Sequence, residues 1–274
     1  MSISDQVREF RRLHESGCFV IPNPWDPGSA RMLERLGFPA LATTSSGHAW
    51  SRGRADNHVV LEDVLAHLRD MTAAVNVPIN ADFEGGFAVE PDEVAEHVAM
   101  ACGTGIAGLS IEDSTGNTAD PLFAYDLAVE RIRAARQAVD ESETGILLVG
   151  RSEGFIAGRP DLDETIRRLV AYAEAGADCL YAPGIRSTDQ IAAVVSAVAP
   201  RPVNVLVSTD FTTLEEMARL GVRRISVGGA LARTAWAGFM DAATEIATHG
   251  TFTHLAGVIA GAVLNDAFDA GQAR

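Results

Sequence analysis

Acidic side chains end three apolar segments of this chain, PINADFE (78–84), IAGLSIED (106–113) and ILLVGRSE (146–153). Asp82 and Glu84 are two residues apart, so both project to the same face if the first segment is an extended strand. Glu112 lies at the end of the second segment, and Arg151 lies in the third. Carboxylates held close together repel and raise each other's pKa unless a cation compensates. Because oxygen ligands without His or Cys suit Mg2+ or Mn2+ rather than zinc, the pattern predicts a hard divalent metal ion.

A more ordinary interpretation is that each acid caps a helix or pairs with a surface arginine. For any single acid, that alternative is as reasonable as a metal site. Three acids at successive segment ends converge when the segments are neighbouring parallel strands. The convergence then favours one shared site.

The fold must therefore bring these segment ends to one edge. Eight short apolar runs alternate with amphipathic helical stretches, several of which begin with Ser or Asp and end with Gly. The runs are 18–24, 40–46, 78–84, 106–113, 146–153, 179–184, 203–208 and 224–229. Their apolar character is typical of parallel strands buried on both faces. Eight β-then-α units predict a (β/α)8 TIM-type barrel, in which catalytic groups come from the C-terminal strand ends.

An open doubly wound sheet is the alternative to a barrel. That fold would need a glycine-rich nucleotide loop after an early strand, and NPWDPGSA lacks the GxGxxG pattern. No linker or low-complexity tract divides the chain, so we expect one domain over residues 1–274. Residues 235–274 read as a C-terminal helical tail that is too apolar to stay exposed. We expect this oligomerisation tail to pack against a neighbouring subunit.

Small hydroxylated residues follow the second predicted strand, in the segment Thr44-Ser45-Ser46-Gly47. Such a run can present N–H and hydroxyl groups to an anion, with ordinary loop chemistry as the competing explanation. The next stretch, 50–58, is polar and broken by glycine, which is typical of a mobile lid. Gly228-Gly229, before the last long helical stretch, is consistent either with a phosphate site or with a tight turn.

Composition excludes several classes of function. The net charge of −15 disfavours nucleic acid and anionic membrane surfaces, which would repel the protein. No apolar run is long enough to span a bilayer and the N-terminus does not read as a signal peptide, so we expect a cytoplasmic protein. All 22 basic residues are arginine, and the absence of lysine excludes Schiff-base chemistry, pyridoxal phosphate attachment and a P-loop.

Taken together, these motifs resemble the isocitrate lyase/phosphoenolpyruvate mutase superfamily. The matching stretches follow family order over nearly the whole chain and include NPWDPGSARMLERLGFPALATTSS, NADFEGG, GLSIEDS, GRSEGF, YAPG and RISVGGALAR. The resemblance implies a Mg2+-dependent barrel that acts on 2-oxo acids by cleaving or forming a bond next to an enolate. It also implies a homodimer or homotetramer in which the C-terminal helix is exchanged between subunits.

The resemblance also implies roles for individual residues. Asp82 looks like the direct metal ligand, and Glu84 and Glu112, with Asp113 as an alternative, look like the acids that hold metal-bound waters. Arg151 looks like the residue that neutralises the substrate carboxylate and the developing enolate oxygen, and Asp56 resembles the acid of the gating segment. The expected catalytic residues are Arg151, Asp56 and Glu112, and the expected substrate contacts are Thr44, Ser45, Ser46, Gly47, Asp82 and Arg151.

Two departures from the family pattern narrow the activity. The lyase branch carries a lysine and a catalytic cysteine in the loop after the fourth strand, whereas this chain reads STGNTADPLF there. The phosphonate branch uses a lysine in the same loop and a histidine after the sixth strand, where this chain has Pro183. We therefore expect neither isocitrate cleavage nor phosphonomutase activity.

The resulting expectation is a Mg2+-dependent lyase of a small 2-oxo acid. Decarboxylation or hydrolytic C–C cleavage of an oxaloacetate-like substrate is the leading reaction. Two alternatives stay open. One is a member of the same fold that binds Mg2+ and a 2-oxo acid but is catalytically weak or inactive, and the other is a barrel isomerase or synthase that binds a phosphorylated metabolite.

Overall fold

The computed structural model of the protein describes residues 2–269, and its eight strands form one parallel sheet in the order β1-β8-β7-β6-β5-β4-β3-β2. The strands are β1 Phe19–Ile21, β2 Leu41–Ala42, β3 Ile79–Asp82, β4 Gly108–Glu112, β5 Leu147–Arg151, β6 Cys179–Tyr181, β7 Val203–Leu206 and β8 Arg224–Ser226. The N–H of Ala42 donates to the carbonyl of Pro22 (3.1 Å) and joins β2 to the chain just after β1. The sheet is therefore a nearly closed barrel, which confirms the predicted (β/α)8 fold.

Helices follow every strand and cover the outside of the barrel. They are α1 Ile3–Leu13, α2 Pro27–Arg35, α3 Ser45–Ser51, α4 Leu61–Ala74, α5 Pro91–Cys102, α6 Tyr125–Glu141, α7 Leu162–Glu174, α8 Thr188–Val198, α9 Leu214–Arg219, α10 Ala230–His249 and α11 Gly261–Asp269, with a short 3-10 helix at Thr253–Leu255. Asp26 caps α2 by accepting the N–H of Ser29 (2.6 Å), and Asp161 caps α7 in the same way. Such caps satisfy N–H groups that the first turn of a helix leaves without partners.

Helix α1 covers the end of the barrel where the strands begin. The ring of Phe10 is fully buried, and a Cβ at Gly108 of β4 would lie 2.8 Å from it, so glycine there allows the close approach. The Nδ1–H of His14 donates to the carbonyl of Phe10 (2.7 Å). The opposite nitrogen of His14 faces Arg224 inside the barrel at 3.5 Å.

All eight strands are shorter than the predicted runs, and in the second a helix replaces the end of the run. Strand β2 ends at Ala42, and residues 45–51 form helix α3 instead of continuing the predicted run 40–46. Thr44 caps this helix through its side chain, which accepts the N–H of Gly47 (3.4 Å). A hydroxyl that bonds the local backbone in this way favours a helix start over a continuing strand.

The apolar surface expected near the C-terminus is present, but its boundary differs. Helix α10 begins at Ala230, directly after β8, so residue 235, where the tail was predicted to begin, lies inside one continuous helix. The large apolar side chains exposed on α10 and beyond it are Trp236, Phe239, Met240, Ile246, Phe252, Leu255, Val258, Ile259 and Val263. The last residues of the predicted tail, 270–274, lie outside the described residues. Within 2–269, no helix is both long and apolar enough to cross a bilayer.

Two buried histidines stack on each other where α3 packs against α4. The rings of His48 and His67 lie 3.7 Å apart at 20°, and within residues 2–269 neither Nε2 atom has a hydrogen-bond partner. Burial, together with the neighbouring His48 and Arg52, lowers the pKa of His67 to about 3. The folded protein therefore holds His67 neutral.

We predict that this histidine makes the free energy of unfolding depend on pH. The unfolded chain protonates His67 near pH 6.5, whereas the folded chain resists until about pH 3, so its contribution is present above pH 6.5 and is lost as the pH falls. Between pH 7.5 and pH 5 the loss is about 2 kcal/mol. Urea titrations of His67→Gln should therefore show about 2 kcal/mol less destabilisation over this range than the wild type.

The exposed His249 provides the matched control, because His249→Gln should keep the pH dependence of the wild type. If His67→Gln kept the pH dependence of the wild type, buried His67 would not be its source.

Candidate active site

The C-terminal ends of the strands surround one polar cavity of about 210 Å³. The sequence-predicted residues that line it are Thr44, Ser45, Ser46, Asp56, Asp82 and Arg151. Glu84 and Glu112 instead line a second cavity of about 300 Å³. The two cavities are neighbours, because Glu112 contacts Arg151 of the first.

Arg151, the last residue of β5, is the centre of this site. Its Nη1 donates to Asp82 Oδ1 of β3 (3.2 Å) and lies 3.0 Å from Glu112 Oε2 of β4. Its Nε donates to Glu153 Oε1, and its guanidinium carbon lies 5.2 Å from the centre of the Tyr181 ring of β6. Neighbouring strand ends thus bring three carboxylates to one arginine, as the predicted strand order requires.

Asp82 is held between the start of α3 and Arg151. The N–H of Ser45 donates to Asp82 Oδ2 (2.9 Å), and the N–H of Asp82 donates to Thr43 Oγ1 (2.9 Å). The hydroxyls of Thr44 and Ser46 lie 3.1 Å apart on the same turn. The predicted anion cradle therefore lies beside Asp82, at the start of a helix rather than in a loop.

Gly47 is the one cradle residue that does not line the cavity, and it allows close packing behind it. A Cβ at this position would lie 2.9 Å from the Cβ of Trp25 and 3.3 Å from the Cβ of Ala232 on α10. A larger residue would push α3 away from both. Gly47 therefore fixes the position of the hydroxyl groups without contacting the cavity.

Glu84 has a left-handed backbone, with φ of 47°, which is uncommon for a residue other than glycine. Its carbonyl accepts the N–H of Glu112 (3.0 Å). The carbonyls of Gly85 and Val89 accept from the buried guanidinium of Arg131 on α6. Such strained residues persist where their surroundings fix them, and they cluster at functional sites. The turn after β3 is thus pinned to both β4 and α6.

The site holds more negative than positive charge. Its acids are Asp56, Asp82, Glu84, Glu112 and Glu153, and its basic residues are Arg151 and, deeper in the cavity, Arg224. Burial, with the neighbouring Asp82 and Asp56, raises the pKa of Glu84 to about 8, and burial raises the pKa of Glu112 well above its usual range. A further cation would relieve this repulsion.

The donor set fits a hard cation that keeps part of its water shell. Within residues 2–269, no three His, Cys, Asp or Glu side chains converge closely enough to ligate one ion directly. Mg2+ satisfies this arrangement, because it retains several waters and is commonly held by one or two carboxylates.

Asp56 lies in an exposed segment that reaches the edge of the cavity. Arg52 and Arg54 of the same segment both pair with Asp63 of α4, at 3.4 and 3.2 Å. These ion pairs tie the segment to the barrel wall beside the predicted gating acid.

Asp113, the alternative to Glu112, is turned away from both cavities. Its Oδ2 accepts from Tyr172 Oη (2.7 Å) and Arg168 Nη1 (3.2 Å) of α7, and its Oδ1 accepts the N–H of Glu153 (2.7 Å). Strand alternation places Glu112 inward and Asp113 outward. Asp113 therefore anchors β4 to α7 and positions Glu153. Glu153 ends the third acidic segment of the sequence but was given no role among the predicted site residues, although it follows Arg151 at the two-residue spacing that singled out Asp82 and Glu84.

The glycine pair after β8 forms a tight turn. The N–H groups of Val227 and Gly228 both donate to Asn23 Oδ1 (2.8 Å each), so the Gly228 N–H is already used. A Cβ at Gly229 would lie 2.8 Å from Ser46 Oγ. The pair allows α10 to begin close against the start of α3.

The family model for phosphoenolpyruvate phosphomutase matches residues 10–247. The chain belongs to this family. A solved structure from Burkholderia cenocepacia J2315, named only as a lyase/mutase, is 47% identical, has a TM-score of 0.95 and covers 97% of each chain. The oxaloacetate decarboxylase of Paraburkholderia xenovorans is 28% identical over 82% of this chain and 76% of its own. A structure of oxaloacetate acetylhydrolase with oxalate is 26% identical, has a TM-score of 0.88 and covers 98% of this chain and 96% of its own.

These matches confirm the resemblance to the isocitrate lyase/phosphoenolpyruvate mutase superfamily. Its members are carbon–carbon lyases and mutases, and this chain is an enzyme of that type.

Proposed function

We propose that the protein is a Mg2+-dependent lyase of a small 2-oxo carboxylic acid, with decarboxylation or hydrolytic C–C cleavage of an oxaloacetate-like substrate as its reaction. One observation carries the proposal. Arg151 and Asp82 face the Thr44–Ser46 cradle in one cavity, with further acids close behind them. Anion-binding and cation-binding groups thus meet at the place where a chelating 2-oxo acid would need both.

Asp82 would hold the metal ion directly, and Glu84 and Glu112 would hold it through waters; Mn2+ fits the same donors. When bound, the metal supplies Lewis-acid stabilisation of the charge that develops on the 2-oxo oxygen.

The protein's own groups bind and orient the substrate. The hydroxyls of the Thr44–Ser46 cradle would donate to the substrate carboxylate, and Arg151 would donate to the oxygen on which enolate charge develops. Preorganised donors of this kind contribute about 3–4 kcal/mol each in the transition state. Asp56, at the edge of the cavity, would close over the bound substrate. In a decarboxylation, CO2 leaves and the enolate carbon takes a proton from solvent.

The relatives support this reaction class over the isocitrate-cleaving lyase branch and the phosphonate branch of the superfamily. Oxaloacetate is named as the substrate of both the decarboxylase and the acetylhydrolase to which the chain is similar. The loop between Ser114 and Ala124 contains neither lysine nor cysteine, which removes the proton donor of the lyase branch. The engaged Gly228 N–H disfavours a phosphate site after β8.

Asp82→Asn should lower the Mg2+-dependent kcat/KM for oxaloacetate by about a thousandfold, because the metal loses its direct ligand. Oxaloacetate consumption with Mg2+ and with EDTA measures the effect. Asp70→Asn, an exposed aspartate on α4, should behave as the wild type. Full activity in Asp82→Asn would contradict the metal assignment.

A thermal-shift measurement with 2-oxo acids and with phosphate esters, made beside this assay, separates the alternatives. Mg2+-dependent binding of 2-oxo acids without turnover in the wild type would identify a binding protein. Stabilisation by phosphate esters alone would identify the phosphometabolite enzyme.

We also propose that the apolar surface of α10 and the tail packs against a second copy, with helix exchange in a homodimer or homotetramer. Trp236 and Phe239 are 42% and 58% exposed and stack edge to face, which is unusual for a surface left in water.

Phe239→Glu should shift the protein toward the monomer in sedimentation velocity, because a charge would be buried in the interface. Met100→Glu, at an exposed apolar position on α5, should leave the oligomer intact. A wild-type protein that sediments as a monomer at all concentrations would contradict this proposal.

A further inference from the structure

The interior of this barrel is polar below the rim that carries Arg151. Barrel interiors are usually filled by layers of bulky apolar side chains. Here the cavity continues down to side chains that carry amide, hydroxyl and guanidinium groups, namely Asn80, Ser110, Asn204, Arg224 and Ser226. All five are buried. We call these five residues the floor of the cavity.

Arg224 is the charged residue of the floor, and its exposed fraction is 3%. Its Nε donates to Asn204 Oδ1 (2.9 Å), and its Nη1 donates to Asn80 Oδ1 (3.3 Å). Nη1 also lies 3.5 Å from His14 Nε2. Within residues 2–269, no carboxylate lies within 4 Å of this guanidinium, and Nη2 has no hydrogen-bond acceptor.

None of the other neighbours of Arg224 supplies a negative charge. Burial and the nearby Arg224 lower the pKa of His14 to about 3, so its ring is neutral and can accept from the guanidinium. Burial raises the pKa of the Cys179 thiol, so that group stays protonated. Of the two acids that line the same cavity, Asp82 is engaged by Arg151 and Ser45, and Asp56 lies at the edge. A buried charge without a counter-charge is costly, because nothing offsets the loss of its water shell.

The spacing along β3 relates the floor to the rim. Asn80, which accepts from Arg224, precedes Asp82 by two residues and projects to the same face. Two residues of a strand span about 6.6 Å. A chain of four or five carbons can therefore reach from the rim to the floor.

We propose that the floor binds the second carboxylate of the substrate, and that Arg224 thereby selects dicarboxylic over monocarboxylic 2-oxo acids. This inference rests on the proposed function, because the first carboxylate and the 2-oxo group are assigned to the rim. Arg224 provides the charge, while Asn204 and Ser226, which are bonded to each other (2.9 Å), are positioned to complete the contact. Arg224 is thus a specificity-determining residue rather than one that acts on the reacting bond.

The test compares two ligands that differ at one end. Oxaloacetate carries a carboxylate where 2-oxobutyrate carries a methyl group. Their binding with Mg2+ is measured by stopped-flow tryptophan fluorescence before turnover, using Trp25 and Trp50 near the cradle. The wild type should bind oxaloacetate at least about tenfold more tightly, since a charge-assisted pair is made only with the dicarboxylate.

Variants then assign the preference to Arg224. Arg224→Gln should lower the affinity for oxaloacetate by about tenfold or more and the affinity for 2-oxobutyrate by less than about threefold. Arg224→Lys, which keeps the charge, should retain part of the preference. Arg223→Gln is the matched control, because the side chain of Arg223 contacts the carbonyl of Gly17 outside the barrel. This substitution should leave both affinities unchanged.

The outcomes separate the two proposals. Equal Mg2+-dependent binding of both ligands by the wild type would overturn the role of the floor and leave the proposed function intact. No Mg2+-dependent binding of either ligand would overturn the proposed function and the floor site with it. If Arg224→Gln does not fold, the wild-type comparison and Arg224→Lys still test whether Arg224 selects the dicarboxylate. Selection by charge is contradicted if the wild type shows no preference for oxaloacetate. It is also contradicted if a folded Arg224→Lys loses that preference completely.

Discussion

The chemistry of this site depends on the repulsion among the carboxylates that surround Arg151. Asp82, Glu112 and Glu153 reach that guanidinium from two neighbouring strands and from the loop after its own strand. In a site of low dielectric constant, such acids stay ionised together only when positive charge balances them. Arg151, even with Arg224 deeper in the cavity, does not balance these three acids together with Glu84 and Asp56. A divalent cation does, which is why the proposed function rests on the electrostatics of the site and not on the barrel alone.

The barrel holds these groups in place through contacts outside the cavities. Asp113 binds Tyr172 and Arg168 of α7 and fixes the backbone of Glu153. Arg131 fixes the left-handed turn at Glu84. Carboxylates on fixed strand ends cannot move apart to reduce their repulsion. The same rigidity keeps them ready for a cation without reorganisation, which is the condition for strong electrostatic catalysis.

The barrel and the acid ring could be predicted from sequence because each strand is an apolar run and parallel strands end at one edge. Helix α3 could not, because its seven residues are too few to show a helical period and Thr44-Ser45-Ser46 suits a strand end equally well. The floor was also missed. A lone polar residue in a short apolar run, such as Asn204 or Arg224, does not reveal which face it occupies until the register of neighbouring strands is known.

The measurement that tests the central claim most directly is Mn2+ binding, followed by electron paramagnetic resonance of the free ion. We expect one Mn2+ site per chain that Mg2+ displaces, that tightens when oxalate is added, and that is lost in Asp82→Asn. Absence of Mn2+ binding, with or without oxalate, would contradict the central claim, because the carboxylates around Arg151 would then be balanced without a metal ion.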